Sequence, residues 1–303
     1  RAGIKPVVPS RPTRRNTTAC GRPMTAANLL HFVAGKGDNL IVATMFGPAT
    51  VGQYNLAYNL ADVPAAQIGE AVGDVMLPSL AKLEEPERRR QALIRATGLL
   101  GLLVFPLAVG LGVIADTLVR TLFDPRWYPM APMMLLLSVL SVVRPIGWLV
   151  GVYLQAVHRT RMIFALEGIK VGAILFFVWL LGYITDSALW ACVGVGVAYT
   201  ANAVVSAIWA KKADGPSARE LLLPTLRPLL STAPMVAAVL GVRYLAAGVM
   251  PAWALLLVEL LAGALVYVGS AFVIAPKQAR DFLELLTDAL RRRRGKAEES
   301  PTT

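Results

Sequence analysis

The sequence predicts an all-α fold, a polytopic transmembrane helix bundle of about eight spans, and three observations carry that reading. Of the 303 residues, 56% are hydrophobic and only 16% charged, with a mean hydropathy of +0.58, against roughly 45–50% apolar and about 25% charged in an ordinary soluble domain. The apolar residues gather into runs close to the ~20 residues that a bilayer core asks of a helix. The basic residues that give a net charge of +11 lie between those runs, so they read as topology and not as a nucleic-acid-binding stripe on a soluble fold.

In chain order the runs lie near 24–46, 52–78, 93–115, 130–156, 162–183, 187–210, 224–247 and 250–274. The third is the cleanest, because Ala96 to Ala115 holds no charge. The seventh is the weakest, because Arg227 and Arg243 bracket an uncharged run that crosses only with snorkelling ends. Basic residues crowd the amino-terminal tail, the connection from Lys82 to Arg95, Arg159 and Arg161, the stretch from Lys211 to Arg227, and the chain from Lys277 onward. The alternate connections hold Arg120, Arg126 and Arg243. By the positive-inside rule both ends and the basic loops are cytoplasmic, in a multi-pass membrane protein. The closing stretch FLELLTDALRRRRGKAEESPTT puts Phe282, Leu283, Leu286 and Leu290 on one side of a helix that ends in a basic cluster. It reads as a segment lying on anionic membrane lipids, or as a solvated tail whose charge only enforces orientation.

The connections are mostly under about 15 residues, too short to fold a separate soluble domain. A membrane ligase or polymerase would need such a domain for its acidic ligands or general base, and no HExxH, GxSxG or GxxxxGK[ST] pattern occurs. The chain is read as no enzyme, with no cofactor and no metal. Cys20 and Cys192 are the only cysteines, one in a polar tail and one in an apolar run, so no disulfide framework is expected. Gly194 and Gly196 in CVGVGVAY lack a preceding strand and a third glycine, and are read as a helix-packing notch. The chain begins with Arg1 and lacks a leader pattern, and is expected to be a fragment of a longer protein.

Three GxxxG pairs, Gly69 with Gly73, Gly147 with Gly151 and Gly168 with Gly172, are expected to meet neighbouring helices. Pro64, Pro106, Pro145 and Pro234 lie inside spans and predict bends. The charges inside the spans point to function, since an ionised group at mid-bilayer costs about 2.5–3.5 kcal/mol on insertion scales and usually lines a bundle interior or aqueous path. Asn55, Asn59, Asp62, Gly69, Glu70, Gly73 and Asp74 share one arc of the second span. Asn28, His31, Gly35, Asp38 and Asn39 share one of the first, with Lys36 off that stripe. Asp38 and Asp62 have no basic residue at helical spacing and are the ion-coupling candidates, with Glu70 a lesser one. Arg144, before Pro145 and without an acidic neighbour in its own helix, is the candidate for an anionic substrate group. Lys36, Lys170, Asn39, Asn55 and Asn59 complete the substrate-binding set. Lys170 also stands three residues from Glu167, and simple pairing between them is equally open. Glu259 either pairs across helices or faces a groove.

Several runs carry a resemblance. GDNLIVATMFGPATVGQYNLAYNLADVP, then VMLPSLAKLEEPERRRQAL, then FPLAVGLGVIADTLVRTLFDPRWYPMAPMMLLLSVL resemble the second half of the Wzx-type polysaccharide flippases of the multidrug, oligosaccharidyl-lipid and polysaccharide exporter superfamily. The matching elements are Asp38; Gly52, Tyr54 and Ala57; Leu77 to Leu80; and Leu122, Phe123 and Trp127. Asp124 departs from the glycine that relatives often carry. The resemblance covers about residues 24–160, and the rest by hydropathy only. It implies a domain order of 1–23 as a cytoplasmic basic segment, 24–210 as a six-helix lobe, 211–274 as two additional helices and 275–303 as a cytoplasmic basic tail. It further implies translocation of an undecaprenyl-diphosphate-linked oligosaccharide by alternating access, with lipid-linked oligosaccharide as partner and a polysaccharide polymerase or other glycan-assembly protein beside it. An ion-coupled exporter of drugs or metabolites from the same superfamily is the alternative.

Overall fold

A computed structural model describes residues 11–246, 248–285 and 287, with side chains from Lys36 onward apart from Pro64. The side chains of Asn28 and His31 and the residues Leu286 and Leu290 therefore lie outside the described residues. Nine α-helices account for most of what is described: α1 (Arg11–Lys82), α2 (Pro86–Leu122), α3 (Met130–Leu140), α4 (Arg144–Ala156), α5 (Thr160–Thr185), α6 (Ala188–Lys212), α7 (Ala218–Leu230), α8 (Thr232–Ala246) and α9 (Ala252–Ile274). A further helical run covers 276–285.

Among the described residues, six segments are long and apolar enough to cross a membrane: α2, α3 with α4, α5, α6, α7 with α8, and α9. They are the third to eighth of the expected spans. The first two expected spans are the arms of α1, which is not among the six, so the count of about eight is not confirmed. The amides and carboxylates of its polar stripe dilute its apolar surface.

Gly47 divides α1, with φ 84° and ψ 173°, a conformation open to a residue without a Cβ. The Tyr54 hydroxyl bonds Asp38 and the Asn55 amide bonds Asn39, each sixteen residues back. Sixteen residues of straight helix would separate those partners by about 24 Å, so the two arms fold back against one another at Gly47. The first arm runs alongside α5 in the same direction. A Cβ on Gly37 would meet Leu175 at 2.7 Å, and one on Gly182 would meet Met45 at 3.2 Å.

Two spans are interrupted. Between α3 and α4 the chain makes a 3-10 turn at Ser141–Val143. Pro145, in the first turn of α4, has no amide to offer the Ser141 carbonyl, and the Arg144 N–H takes that acceptor instead. Between α7 and α8 Ser231 breaks the helix just ahead of Pro234. The backbone stays helical at position 64, and α2 continues through Pro106.

The core falls into three apolar clusters. One joins the basic end of the second arm of α1 to α2, α4, α6 and α7 around Leu93, Leu149, Tyr153 and Leu221. A second fills the Gly47 end around Tyr54, Met130, Met134 and Ala191. The third fastens α8 and α9 to α2 through Met235, Val239 and Leu256. Gly69 and Gly73 meet neighbours as expected, with Trp148 and Val152 of α4 in their path, and Gly147 faces Asn202. Gly194 and Gly196 also act as a notch, under the Phe177 backbone and Leu140. The pair Gly168 and Gly172 overturns its expectation. Among the described residues, a Cβ at either would meet nothing within 4 Å.

Candidate functional site

The second arm of α1 carries Tyr54, Tyr58 and Asp62 at a spacing of four, which stacks them on one helix face. Across from them, the restart of α4 after its 3-10 turn delivers Arg144 near the middle of a span, and α6 adds Tyr199. Arg144 is 5% exposed. Its Nη1 pairs with the Asp62 carboxylate, and its Nη2 donates to the Tyr58 hydroxyl at 3.0 Å. The guanidinium lies 4.1 Å from the ring centre of Tyr199 and 5.2 Å from that of Tyr58, whose hydroxyls are 2.9 Å apart. Flat, weakly hydrated and permanently charged, arginine is suited to such a slot between rings.

The network has a dry side and an open side. On the dry side Asp38, 3% exposed, accepts hydrogen bonds from the Tyr54 hydroxyl and the Asn39 backbone amide, both at 2.8 Å. On the open side the Asp62 side chain is 32% exposed. Asn39 of the first arm and Asn55 and Asn59 of the second form an amide chain across the two arms: Asn55 donates to Asn39 at 3.2 Å and Asn59 to Asn55 at 2.9 Å. Two buried atoms nearby have no hydrogen-bond partner among the described residues, the donor Arg144 Nε and the acceptor Asn202 Oδ1. Asn202 packs on Gly147, one turn along α4 from Arg144. A donor and an acceptor are thus left for a polar guest or water.

Of the residues expected to form the site, the structure brings together Asp38, Asp62, Arg144, Asn39, Asn55 and Asn59. It separates the others from them. Lys36 and Glu70 are exposed, as is Asp74. Lys170 is buried and pairs with Glu167 on its own helix, the plainer of its two readings. Asp62 does have a cation, but on another helix, where intrahelical spacing does not look. Tyr54, Tyr58 and Tyr199 were not assigned to binding. The first two share the spacing of four with Asp62 and were open to detection, whereas Tyr199 is joined to them only by the tertiary fold.

Glu259 resolves toward pairing. Fully buried, it accepts from Arg243 Nε at 2.8 Å and from the Thr117 hydroxyl at 3.1 Å, while Arg243 also donates to the Val113 carbonyl. This cluster ties α8 and α9 to α2.

Among known proteins, a family model described as polysaccharide biosynthesis protein matches residues 4–132. The lipopolysaccharide biosynthesis protein WzxC of Escherichia coli (strain K12) is 24% identical over 220 residues, covering 71% of this chain and 44% of the relative. The succinoglycan biosynthesis transport protein ExoT of Rhizobium meliloti (strain 1021) is 24% identical over 224 residues, 72% of this chain and 43% of the relative. The fold resembles that of the lipid II flippase MurJ in its inward closed conformation, with a TM-score of 0.66 at 14% identity over 83% of this chain and 52% of that one. The chain thus spans less than half the length of these curated relatives. The resemblance to polysaccharide flippases stands on sequence, MurJ adds the fold, and the apolar helices make this a multi-pass membrane protein.

Proposed function

We propose that this chain, similar in sequence and fold to polysaccharide flippases, forms one lobe of a transporter that moves a lipid-linked oligosaccharide from the cytoplasmic to the periplasmic leaflet of a bacterial inner membrane by alternating access. It performs no covalent chemistry. The α1 arms and α2 to α6 supply the lobe; α7 to α9 are the additional helices. The basic ends of the helices face the cytoplasm under the positive-inside rule.

The observation that carries the reading is the pairing of a fully enclosed Arg144 with a part-exposed Asp62. The guanidinium is held by two tyrosines and stays; the carboxylate stands at the open edge and is exchangeable. An isoprenoid diphosphate offers the same chemistry as Asp62, with more charge and with planar oxygen pairs that match the guanidinium fork. Its arrival displaces Asp62, and a proton or cation taken up by Asp62 offsets the carboxylate left behind. A ligand shifts a conformational equilibrium only by binding the two states differently. A single arginine that binds either Asp62 or substrate supplies that difference. The sugar hydroxyls find amide partners along Asn39, Asn55 and Asn59 and at Asn202.

The test is Arg144→Ala in the complete protein, in cells that depend on it for polymer export. Export is expected to stop with the protein still present in the membrane, and Arg144→Lys, which keeps the charge but not the planar fork, is expected to impair it. Normal export by Arg144→Ala refutes the assignment. Export that stops for organic cations and continues for glycolipid moves the chain to the drug-exporter class.

A further inference from the structure

At the basic end of the bundle, α2, α7 and the helical run 276–285 enclose a cleft of about 450 Å³ that plays no part in the Arg144 site. Its walls include Arg95, Lys277, Gln278 and Asp281. The way Gln278 is held is the informative feature. Pro228 in α7 has no amide, so the Pro224 carbonyl four residues earlier lacks its helical donor. Gln278 Nε2 donates to that carbonyl at 3.1 Å. Because only the NH2 end of the amide suits a carbonyl, its orientation is fixed by chemistry. The other end, Oε1, is buried with no partner among the described residues, in a side chain 9% exposed. Gly98 permits the approach, since a Cβ there would lie 3.2 Å from Pro224 and 3.5 Å from Gln278.

The charges of the cleft are unequal. Asp281 is committed to Arg95 through two bonds of 3.1 Å, and the Glu284 carboxylate stands 3.8 Å from the same guanidinium. Lys277 forms no ion pair or hydrogen bond among the described residues. The walls therefore present one uncompensated cation and a guanidinium edge, and within the lining Gln278 lies one buried acceptor without a donor among the described residues. The level is that of lipid headgroups, for Arg95 is the last charge before the uncharged run from Ala96 to Ala115.

We infer that this cleft binds a glycerol phosphodiester, its phosphate oxygens on Lys277 and Arg95 and a glycerol hydroxyl donating to Gln278 Oε1, as presented by the headgroup of an anionic phosphatidylglycerol-type lipid. A zwitterionic ethanolamine headgroup fits less well, because the two carboxylates beside the cleft, Asp281 and Glu284, already pair with Arg95. The site is independent of substrate transport, and its readout is lipid retention and not flipping. A failure here leaves the Arg144 proposal untouched.

The experiment uses the full chain purified in detergent, with native mass spectrometry and melting curves in the presence of short-chain phosphatidylglycerol, short-chain phosphatidylethanolamine or water-soluble glycerophosphoglycerol. Phosphatidylglycerol is expected to be retained in preference to phosphatidylethanolamine. Lys277→Gln, an exposed change, is expected to weaken phosphatidylglycerol by about tenfold, the worth of one charge-assisted bond, and to leave phosphatidylethanolamine unaffected. Gln278→Glu keeps the shape, replaces the donor to Pro224 and adds a repelling charge; it is expected to abolish the preference, and its lipid-free melting curve shows whether it folds. Glycerophosphoglycerol that raises the melting point as much as the lipid assigns the site to the soluble ester, within the same chemistry. Equal retention of both lipids by the wild type, or a Lys277→Gln variant that binds phosphatidylglycerol as the wild type does, overturns the inference.

Discussion

Asp62→Ala is predicted to destabilise the protein more than Arg144→Leu, though each removes one half of the same ion pair. The difference comes from what is left behind. Without Asp62, the Arg144 guanidinium stays enclosed, its side chain 4% exposed, with the Tyr58 hydroxyl, two ring faces and the more distant Asp38 carboxylate around it. An uncompensated buried charge costs about 3–5 kcal/mol, and the ring contacts that persist place this case near the lower end, at ~3 kcal/mol. Without Arg144, Asp62 is 32% exposed and is not stranded in the packed core. The loss is then two cation–ring contacts and one hydrogen bond, together about 2 kcal/mol. The double variant has no stranded charge, so it is expected to lie near Arg144→Leu alone and about 2–3 kcal/mol short of the sum of the singles, at the upper end of couplings seen between touching residues. The assay is reversible unfolding in mixed micelles across a titration of denaturing detergent, on all four proteins. An Arg144→Leu variant that unfolds earlier than Asp62→Ala, or singles that simply add, refutes the assignment of fixed and exchangeable partners.

Further outcomes are open to the same assay. At the second buried pair the order reverses: Arg243→Ala strands a fully buried Glu259 and is expected to cost about 3 kcal/mol, more than Glu259→Leu, which leaves an arginine 26% exposed. Gly69→Ala drives a methyl to within 2.2 Å of the Trp148 ring and is expected to cost about 1–3 kcal/mol through overpacking. Gly151→Ala, whose added carbon meets nothing within 4 Å, is expected to be neutral or slightly stabilising. Gly47→Ala meets no atom either but forces an alanine to φ 84°, so its expected cost of about 1–3 kcal/mol is backbone strain alone. An unchanged midpoint there would detach the fold-back of α1 from that glycine.

The apolar helices were legible because lipid imposes one rule on every residue that faces it. Their lengths and order follow from runs such as Ala96 to Ala115. The hairpin of α1 was legible as two apolar runs but its turn at Gly47 was not, and its failure to match the other helices in apolarity comes from residues such as Asn39, Asn55 and Asp62. Those residues trade lipid compatibility for a polar seam. The breaks at Ser141–Val143 and Ser231 were anticipated only through Pro145 and Pro234. At the site, the charged residues announced themselves by their cost in a membrane. Their partners did not, because Asp62 and Arg144 meet through the packing of α1 on α4, and tyrosines are too ordinary in spans to stand out. The pair Gly168 and Gly172 shows the converse error. Small residues one turn apart permit close approach without requiring it.

Of the ion pairs with a buried member, Lys170–Glu167 lies within α5, whereas Arg144–Asp62 and Arg243–Glu259 join different helices and have opposite polarity, and that opposition separates transport from scaffold. At Arg144 the enclosed member is the cation, its anion stands at an open edge, and a hydrogen-bond donor and an acceptor nearby are unused. At Glu259 the enclosed member is the anion, and its cation is tied down by a second bond, from Nη2 of Arg243 to the Val113 carbonyl. An anionic guest can replace Asp62 without stripping any other contact from Asp62 that the fold depends on. A cationic guest at Glu259 would have to displace a side chain that also holds α8 to α2. Exchange is therefore cheap at the first pair and disruptive at the second, which assigns substrate chemistry to the seam between α1, α4 and α6 and leaves Glu259 as the clamp that keeps the last two spans in place.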